Sequence, residues 1–317
     1  MLLQYHDDFE VVDLGIQEED VYDIEVADVH NFFANDILVH NSCYFSLAAV
    51  VDKYIAKKAT KDGKLNITAV IDAMDKIVNE KVTPAINAAC NDIARYTNSY
   101  SQRMNFKREA LSDRGVFLAK KKYALNVYDN EGVRYAEPKT KVMGIEVVRS
   151  STPAPVRKML KSAIDIVLTG SERELQDFVK ATEKEFFALS AEEIAFPRGA
   201  NNLVKYSHPT DVFQQGCPIQ VRAALLYNAM LDKYGLTDRY EVISDGDKIK
   251  YIYLREPNSL RQNCVGFVDQ LPSEFGLHKY IDYQMAWEKA FMTPLKSITD
   301  AIGWSPVKKN TLAALFG

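Results

Sequence analysis

Three short stretches near the start of the chain alternate apolar and polar residues: Phe9 to Leu14, Val21 to Val26 and Asp36 to His40. A period of two predicts β-strands with one face covered. Cys43-Tyr44-Phe45-Ser46-Leu47 reads as a further apolar strand, leading into a helix-like run from Ala48. Farther on, Ala119 to Tyr128 and Arg134 to Pro138 flank Asp129-Asn130-Glu131-Gly132, a turn signal that predicts a hairpin. Then the period changes. Val156, Met159, Leu160, Ala163, Ile164, Val167 and Leu168 recur at three-four spacing between a helix start at Ser150 to Pro155 and a stop at Gly170. A second amphipathic helix starts near Ser171, with Leu175, Phe178, Val179 and Phe186, and others are expected near 218–234 and 281–302. The expected class is α+β, with strands and helices first and a mainly helical distal half. The apolar stripes read as core, not as cofactor boxes.

Charge divides the chain more sharply than the pattern does. Residues 1–41 hold eleven Asp or Glu and no Lys or Arg, a net of −11, while the rest holds 39 basic and 32 acidic residues, a net of +7. The acidic part suits a basic protein partner and the basic part suits phosphates of nucleic acid, although solubility alone also produces such a split. Between Arg103 and Tyr123 seven basic residues stand against two acidic ones, with aromatics interleaved. On strands, such a cluster can line a duplex groove. Alone, the Lys120-Lys121-Lys122 run reads as a solvated charge patch.

Cys43, Cys90, Cys217 and Cys264 lack CxxC spacing and read as reduced thiols, neither a disulfide frame nor a zinc site. No run reaches the ~18 apolar residues of a membrane span, and Met1 to Asp8 lacks a basic signal-peptide start. The expected location is the cytoplasm.

Val21-Tyr22-Asp23-Ile24, then His30-Asn31-Phe32-Phe33-Ala34-Asn35, and finally Ile37-Leu38-Val39-His40-Asn41 followed by Ser42 resemble the C-terminal end of an intein, a self-excising insert. Three of the five histidines fall in these 41 residues. The resemblance implies half of the all-β Hint fold. So short a segment cannot bury a stable core alone, so a split intein is implied, with a basic N-terminal half on a partner chain and folding coupled to binding. Ser42 would be the nucleophile that takes over the upstream polypeptide, and Asn41 would cyclise to cut the chain before Ser42. His30 and His40 match the family's proton shuttles, and Asp23 matches the aspartate that couples the first two steps. Asp36 departs from the glycine common at its position.

Ser42 followed by a strand looks like the downstream half of the YGDTDS hairpin of family B DNA polymerases, whose aspartates hold the metal ions. The order of later motifs is similar to that of bacteriophage replicative polymerases of family B. Phe106-Lys107-Arg108-Glu109 comes first, then the KKxY motif ending Lys120-Lys121-Lys122-Tyr123, then Lys141-Val142-Met143-Gly144-Ile145-Glu146 with Arg149-Ser150-Ser151-Thr152-Pro153. The similarity continues through Gln220-Val221-Arg222 and Tyr280 to Leu295. It implies a palm part at 42–150, a thumb at 151–309 and a clamp-binding tail at 310–317. Lys120, Lys121 and Tyr123 would contact the primer near its end, and Arg149 and Ser150 would grip phosphates farther back. Glu109 is a candidate extra carboxylate at the metal site, with a solvated strand residue as the alternative. Leu312, Leu315 and Phe316 have the spacing of a helical plug for a sliding clamp, where an ordinary packed terminus is the alternative. Mg²⁺ would be held mainly by aspartates of the partner chain, with dNTP and primer–template DNA as substrates. The expected molecule is the C-terminal precursor of a split polymerase in an infected bacterial host, inactive in synthesis until joined. The rivals are a dead intein with 42–317 as a non-covalent thumb subunit, and processing with a degenerate cargo.

Overall fold

The computed structural model describes residues 23–24, 31–34, 37–41, 46–55, 60–61, 64–119 and 121–308. The chain divides into two compact units, Met1–Glu109 and Ala110–Gly317.

In the first unit, β1 (Asp23–Ile24), β2 (Asn31–Ala34) and β3 (Ile37–Asn41) form a sheet of order β1-β3-β2. β3 runs parallel to β1 and antiparallel to β2. Two expected strands thus have counterparts, and β2 adds one that alternation did not mark. The expected strand at Phe9 to Leu14 lies outside the described residues. Of the apolar run before Ala48, the described Ser46 and Leu47 are not in a strand, and α1 (Ala48–Val50) passes at once into a π-helical turn, Val51–Ile55. A small hairpin, β4 (Thr60–Lys61) and β5 (Lys64–Leu65), precedes α2 (Ile67–Ile77). The Asn66 side chain opens α2 by accepting from the Ala69 N–H at 3.2 Å. A second π-helical turn, Val78–Val82, joins it to α3 (Thr83–Tyr96). Arg108 grips Asp75 with two nitrogens, at 2.8 and 3.3 Å, and ties the exit of this unit to α2.

The second unit begins with an antiparallel meander, β6 (Ala110–Ala119), β7 (Lys122–Asn130) and β8 (Val133–Met143). Val116, Ala124 and Val142 stand in register across it and face the core, where they meet the buried stripe of α4 (Ala154–Thr169). Val156, Leu160, Ala163, Ile164, Val167 and Leu168 are all buried, each larger side chain contributing about 1.5–3 kcal/mol by leaving water. Gly170 ends α4, and Ser171 opens α5 (Glu172–Phe187) with a reciprocal capping box to Glu174. A second box at Ser190 opens α6 (Ala191–Ile194).

The distal half is less helical than its sequence pattern suggests. β9 (Phe196–Gly199), β12 (Lys248–Tyr253) and β13 (Cys264–Phe267) form a second antiparallel sheet, order β13-β12-β9. Between β9 and β12 come α7 (Leu203–Tyr206), a hairpin of β10 (Ser207–His208) and β11 (Val212–Phe213), and α8 (Ile219–Tyr234). Alternation does not announce these strands, because β13 is buried at every position and β9 carries Pro197 and Gly199. Gly266 lets β13 lie against the backbone of α8, since a Cβ there would meet the Ala223 carbonyl at 3.0 Å. The last helix runs as α9 (Tyr283–Trp287), a π-helical turn at Glu288–Met292, and α10 (Thr293–Ala301), with Trp287 stacked on Phe291 at 4.3 Å. Mixed helix and antiparallel sheet is therefore the architecture. The meander and the helices after residue 150 share one core, so the compact-unit boundary falls at 109/110. Among the described residues no helix is long and apolar enough to cross a membrane.

Candidate nucleic-acid interface

The β6–β7 connection is where the basic motif falls. Ala119 pairs with Lys122, which leaves a two-residue link, Lys120-Lys121. Links of this length demand left-handed backbone and favour Gly or Asn. Lys121 adopts it nonetheless, at φ 61°, a strain of about 1 kcal/mol for a residue with a Cβ. Such strain, kept at an exposed cationic position, is the kind that clusters at functional sites. Lys120 lies outside the described residues.

Gly144 explains how the link is held. It leaves β8 at φ 64°, and a Cβ on it would collide with the Lys121 carbonyl oxygen and stand 3.2 Å from Lys122 Cγ. The exit of β8 therefore lies on the backbone of the β6–β7 link. From Gly144 the chain makes one 3₁₀ turn, Glu146–Val148, to reach Arg149. The Arg149 guanidinium lies 3.5 Å from the Glu146 carboxylate and points a second nitrogen at the Gly144 carbonyl, also at 3.5 Å. Buried Thr152 fixes this loop by donating its hydroxyl to the Glu146 carbonyl at 3.0 Å and its N–H to the Arg149 carbonyl at 3.2 Å. Lys121, Arg149 and Ser150 are exposed and Tyr123 is half-buried. The structure thus joins two sequence motifs into one basic edge.

Two residues at this edge escaped the sequence reading. Phe117 and Met143 both pair with Tyr123, one on each side, and both are about half exposed. The Phe117 and Tyr123 rings lie 5.9 Å apart, a cross-strand contact. A two-residue link alone would set Leu118 opposite Tyr123; an irregularity in the register between Phe117 and Ala119 brings Phe117 there instead, and nothing in the sequence announced it.

Lys141 of the same motif donates to Asn130 at 3.0 Å, toward the other end of the sheet. Glu109 is exposed, at the end of the first unit. Among the described residues no group of three or more His, Cys, Asp or Glu could hold a metal ion. Leu312, Leu315 and Phe316 lie outside the described residues. The segment just ahead of them is pinned to α5: the Ser305 N–H donates to Glu172 at 2.7 Å, Gln176 to the Ser305 carbonyl at 3.0 Å, and Lys308 to Asp177 at 2.8 Å. The Lys308 hydrogen bond and charge hold the Asp177 carboxyl below its usual range.

For the segment before Ser42 the sheet register is the informative geometry. His40 stands opposite Asp23 on the parallel side and opposite Asn31 on the antiparallel side. Asn41 stands opposite Ile24. Neighbouring strands are about 4.8 Å apart, so Asp23, His40 and Asn41 share adjoining rungs of one ladder. His30 and Ser42 lie outside the described residues.

Comparison with known proteins bears on both parts. No family model matches the chain. The DNA-directed DNA polymerase of Enterobacteria phage T4 is 32% identical over 286 residues, 86% of this chain and 31% of that polymerase. That of Escherichia phage RB69 is 34% identical over 289 residues, 87% of this chain and 31% of its own length. The chain is homologous to phage DNA polymerases. It spans about a third of their length. A DNA polymerase of Methanocaldococcus jannaschii is 24% identical over 314 residues, 92% of this chain but 17% of that polymerase. Residues 42–317 amount to about 87% of the chain, so a match of 92% enters the first 41 residues. From the shares covered, the archaeal polymerase is roughly twice as long as the phage ones.

Proposed function

We propose that this chain is the C-terminal precursor of a split DNA polymerase, and that residues 1–41 join it to an N-terminal precursor by protein trans-splicing. Ser42 Oγ attacks the ester or thioester at the partner's junction, forming a new ester and releasing the partner's first side chain. The Asn41 side-chain nitrogen attacks the Asn41 carbonyl carbon, which closes a succinimide, breaks the bond to Ser42 and frees its amine. That amine displaces the ester oxygen and leaves an ordinary peptide bond. His40 and His30 carry protons for the cyclisation, and Asp23 couples the early steps. The observation that carries this reading is the meeting of two patterns at Ser42. The phage matches cover 86% and 87% of the chain, a share equal to that of 42–317, and the strand ending at Asn41 aligns His40 with Asp23. The archaeal match, which runs into the first 41 residues of the chain, supports the same reading.

After joining, Lys120, Lys121 and Tyr123 contact the primer near its 3′ end, and Arg149 and Ser150 hold phosphates behind it. Partner-chain aspartates hold Mg²⁺ and Glu109 lies beside them. Leu312, Leu315 and Phe316 dock in a sliding clamp. The test is mass spectrometry of tryptic peptides from cells expressing both precursors. A peptide in which Ser42-Cys43-Tyr44 follows foreign sequence ending in Asp is expected, and Asn41→Ala abolishes it. Peptides that only run through His40-Asn41-Ser42 would replace the reading with that of a non-covalent thumb subunit.

A further inference from the structure

We propose that Gly144 is a positioning residue for duplex binding: it latches the Lys121 link to the Arg149 loop, so that the two cationic groups engage the backbone as a single rigid jaw. This rests on the reading of Lys121 and Arg149 as phosphate-binding groups. The geometry makes the link mutual. Lys121 holds a backbone conformation that favours glycine, and its carbonyl occupies the space that a Gly144 side chain would need. The Gly144 carbonyl in turn faces the Arg149 guanidinium, whose other end rests on Glu146. One peptide segment therefore touches both arms, and neither arm shifts without displacing it. Preorganised cations lose less freedom on binding than independent ones.

A matched pair of glycines tests this in the full chain. Gly132 also has positive φ, 86°, but no atom lies within 4 Å of where its Cβ would stand. G132A thus carries the backbone strain without the collision, and G144A carries both. In G144A, amide exchange at Lys122 and Tyr123 is expected to quicken about tenfold, with G132A unchanged there. Binding of a fluorescent primer–template duplex at low salt should weaken about tenfold in G144A alone, and the slope of log K against log salt should fall by about 0.9 for each phosphate no longer neutralised. Exchange that is unchanged in G144A, or equally raised in G132A, overturns the latch whatever DNA does. Altered exchange with no salt-dependent duplex binding by the unsubstituted chain keeps the latch and sinks the phosphate-binding reading.

A surface substitution gives a second test without a backbone clash. R149A removes the guanidinium from the Gly144 carbonyl, so amide exchange at Lys122 should quicken although the β6–β7 link itself is untouched. Exchange at Lys122 that is indifferent to R149A would show that the two arms are not joined and overturn the proposal.

Discussion

The two ends of the β6–β8 meander are built on opposite principles. At the β7–β8 end the link is Glu131-Gly132, with φ of 53° and 86°. The contacts closest to it are local, with one bond from Lys141 to Asn130 added from farther along β8. Asp129, 1% exposed, accepts from the Gly132 N–H at 2.9 Å and faces Arg134 at 3.6 Å. At the β6–β7 end the link contains Lys121, and its support, Gly144, comes from the far side of a whole strand. A turn that exists only to reverse the chain can carry its own stabilising residues. If the β6–β7 turn presents cations to a ligand, as proposed, it has given up the residues that would stabilise it and takes its support from elsewhere in the sheet.

The contrast can be broken by substitutions that act on one end only. Asp129→Ala should have the largest effect, costing about 2 kcal/mol of stability in urea unfolding, because it removes the buried acceptor of the Gly132 N–H. Duplex binding should be unchanged, and a parallel loss of binding would show that the two ends are not separable. Lys121→Ala should do the reverse. Melting should be unaffected while duplex affinity falls about fivefold and the salt slope drops by about 0.9. The smallest effect concerns Tyr128, near the β7–β8 end. Burial and the charges of Asp113 and Glu137 push its hydroxyl above the ordinary pKa of 10, against a lowering by Arg114. A raised pKa means stability that is intact below pH 10 and is lost as pH rises through the folded value. Tyr128→Phe should flatten that alkaline limb and leave neutral stability alone, and a limb unchanged by the substitution would exclude Tyr128 as its source.

These two ends also show what was readable before the structure. Asp129 to Gly132 announced its own turn, because every residue that makes it lies within four positions. The boundary at Gly170 and Ser171 was readable for the same reason, a stop followed by a cap that reaches three residues on. The contact of Gly144 with Lys121 was not, since nothing local marks two residues separated by two strands as neighbours. The parallel pairing of Asp23 with His40 is of the same kind: the residue types were visible, their alignment was not. The second sheet was missed because β13 is buried along its whole length, which removes alternation, and β9 carries Pro197 and Gly199. The residues proposed to bind phosphate were marked by motif and by charge, whereas Phe117 and Met143 needed the strand register.

The π-helical turn at Glu288–Met292 has a consequence for how this gene can change. A π turn holds one residue more than the α turn it replaces. The helix on either side is therefore phased as though a residue had been inserted, with Trp287 and Phe291 stacked at one end and Leu295 and Ile298 buried at the other. Losing one codon inside 288–292 would let the turn relax to plain α-helix, and the shift in phase would be absorbed where the extra residue now sits. The same loss a few positions later, within 295–299, would rotate the remaining buried side chains toward water. In this helix the tolerance to deletion is set by where the surplus residue is stored.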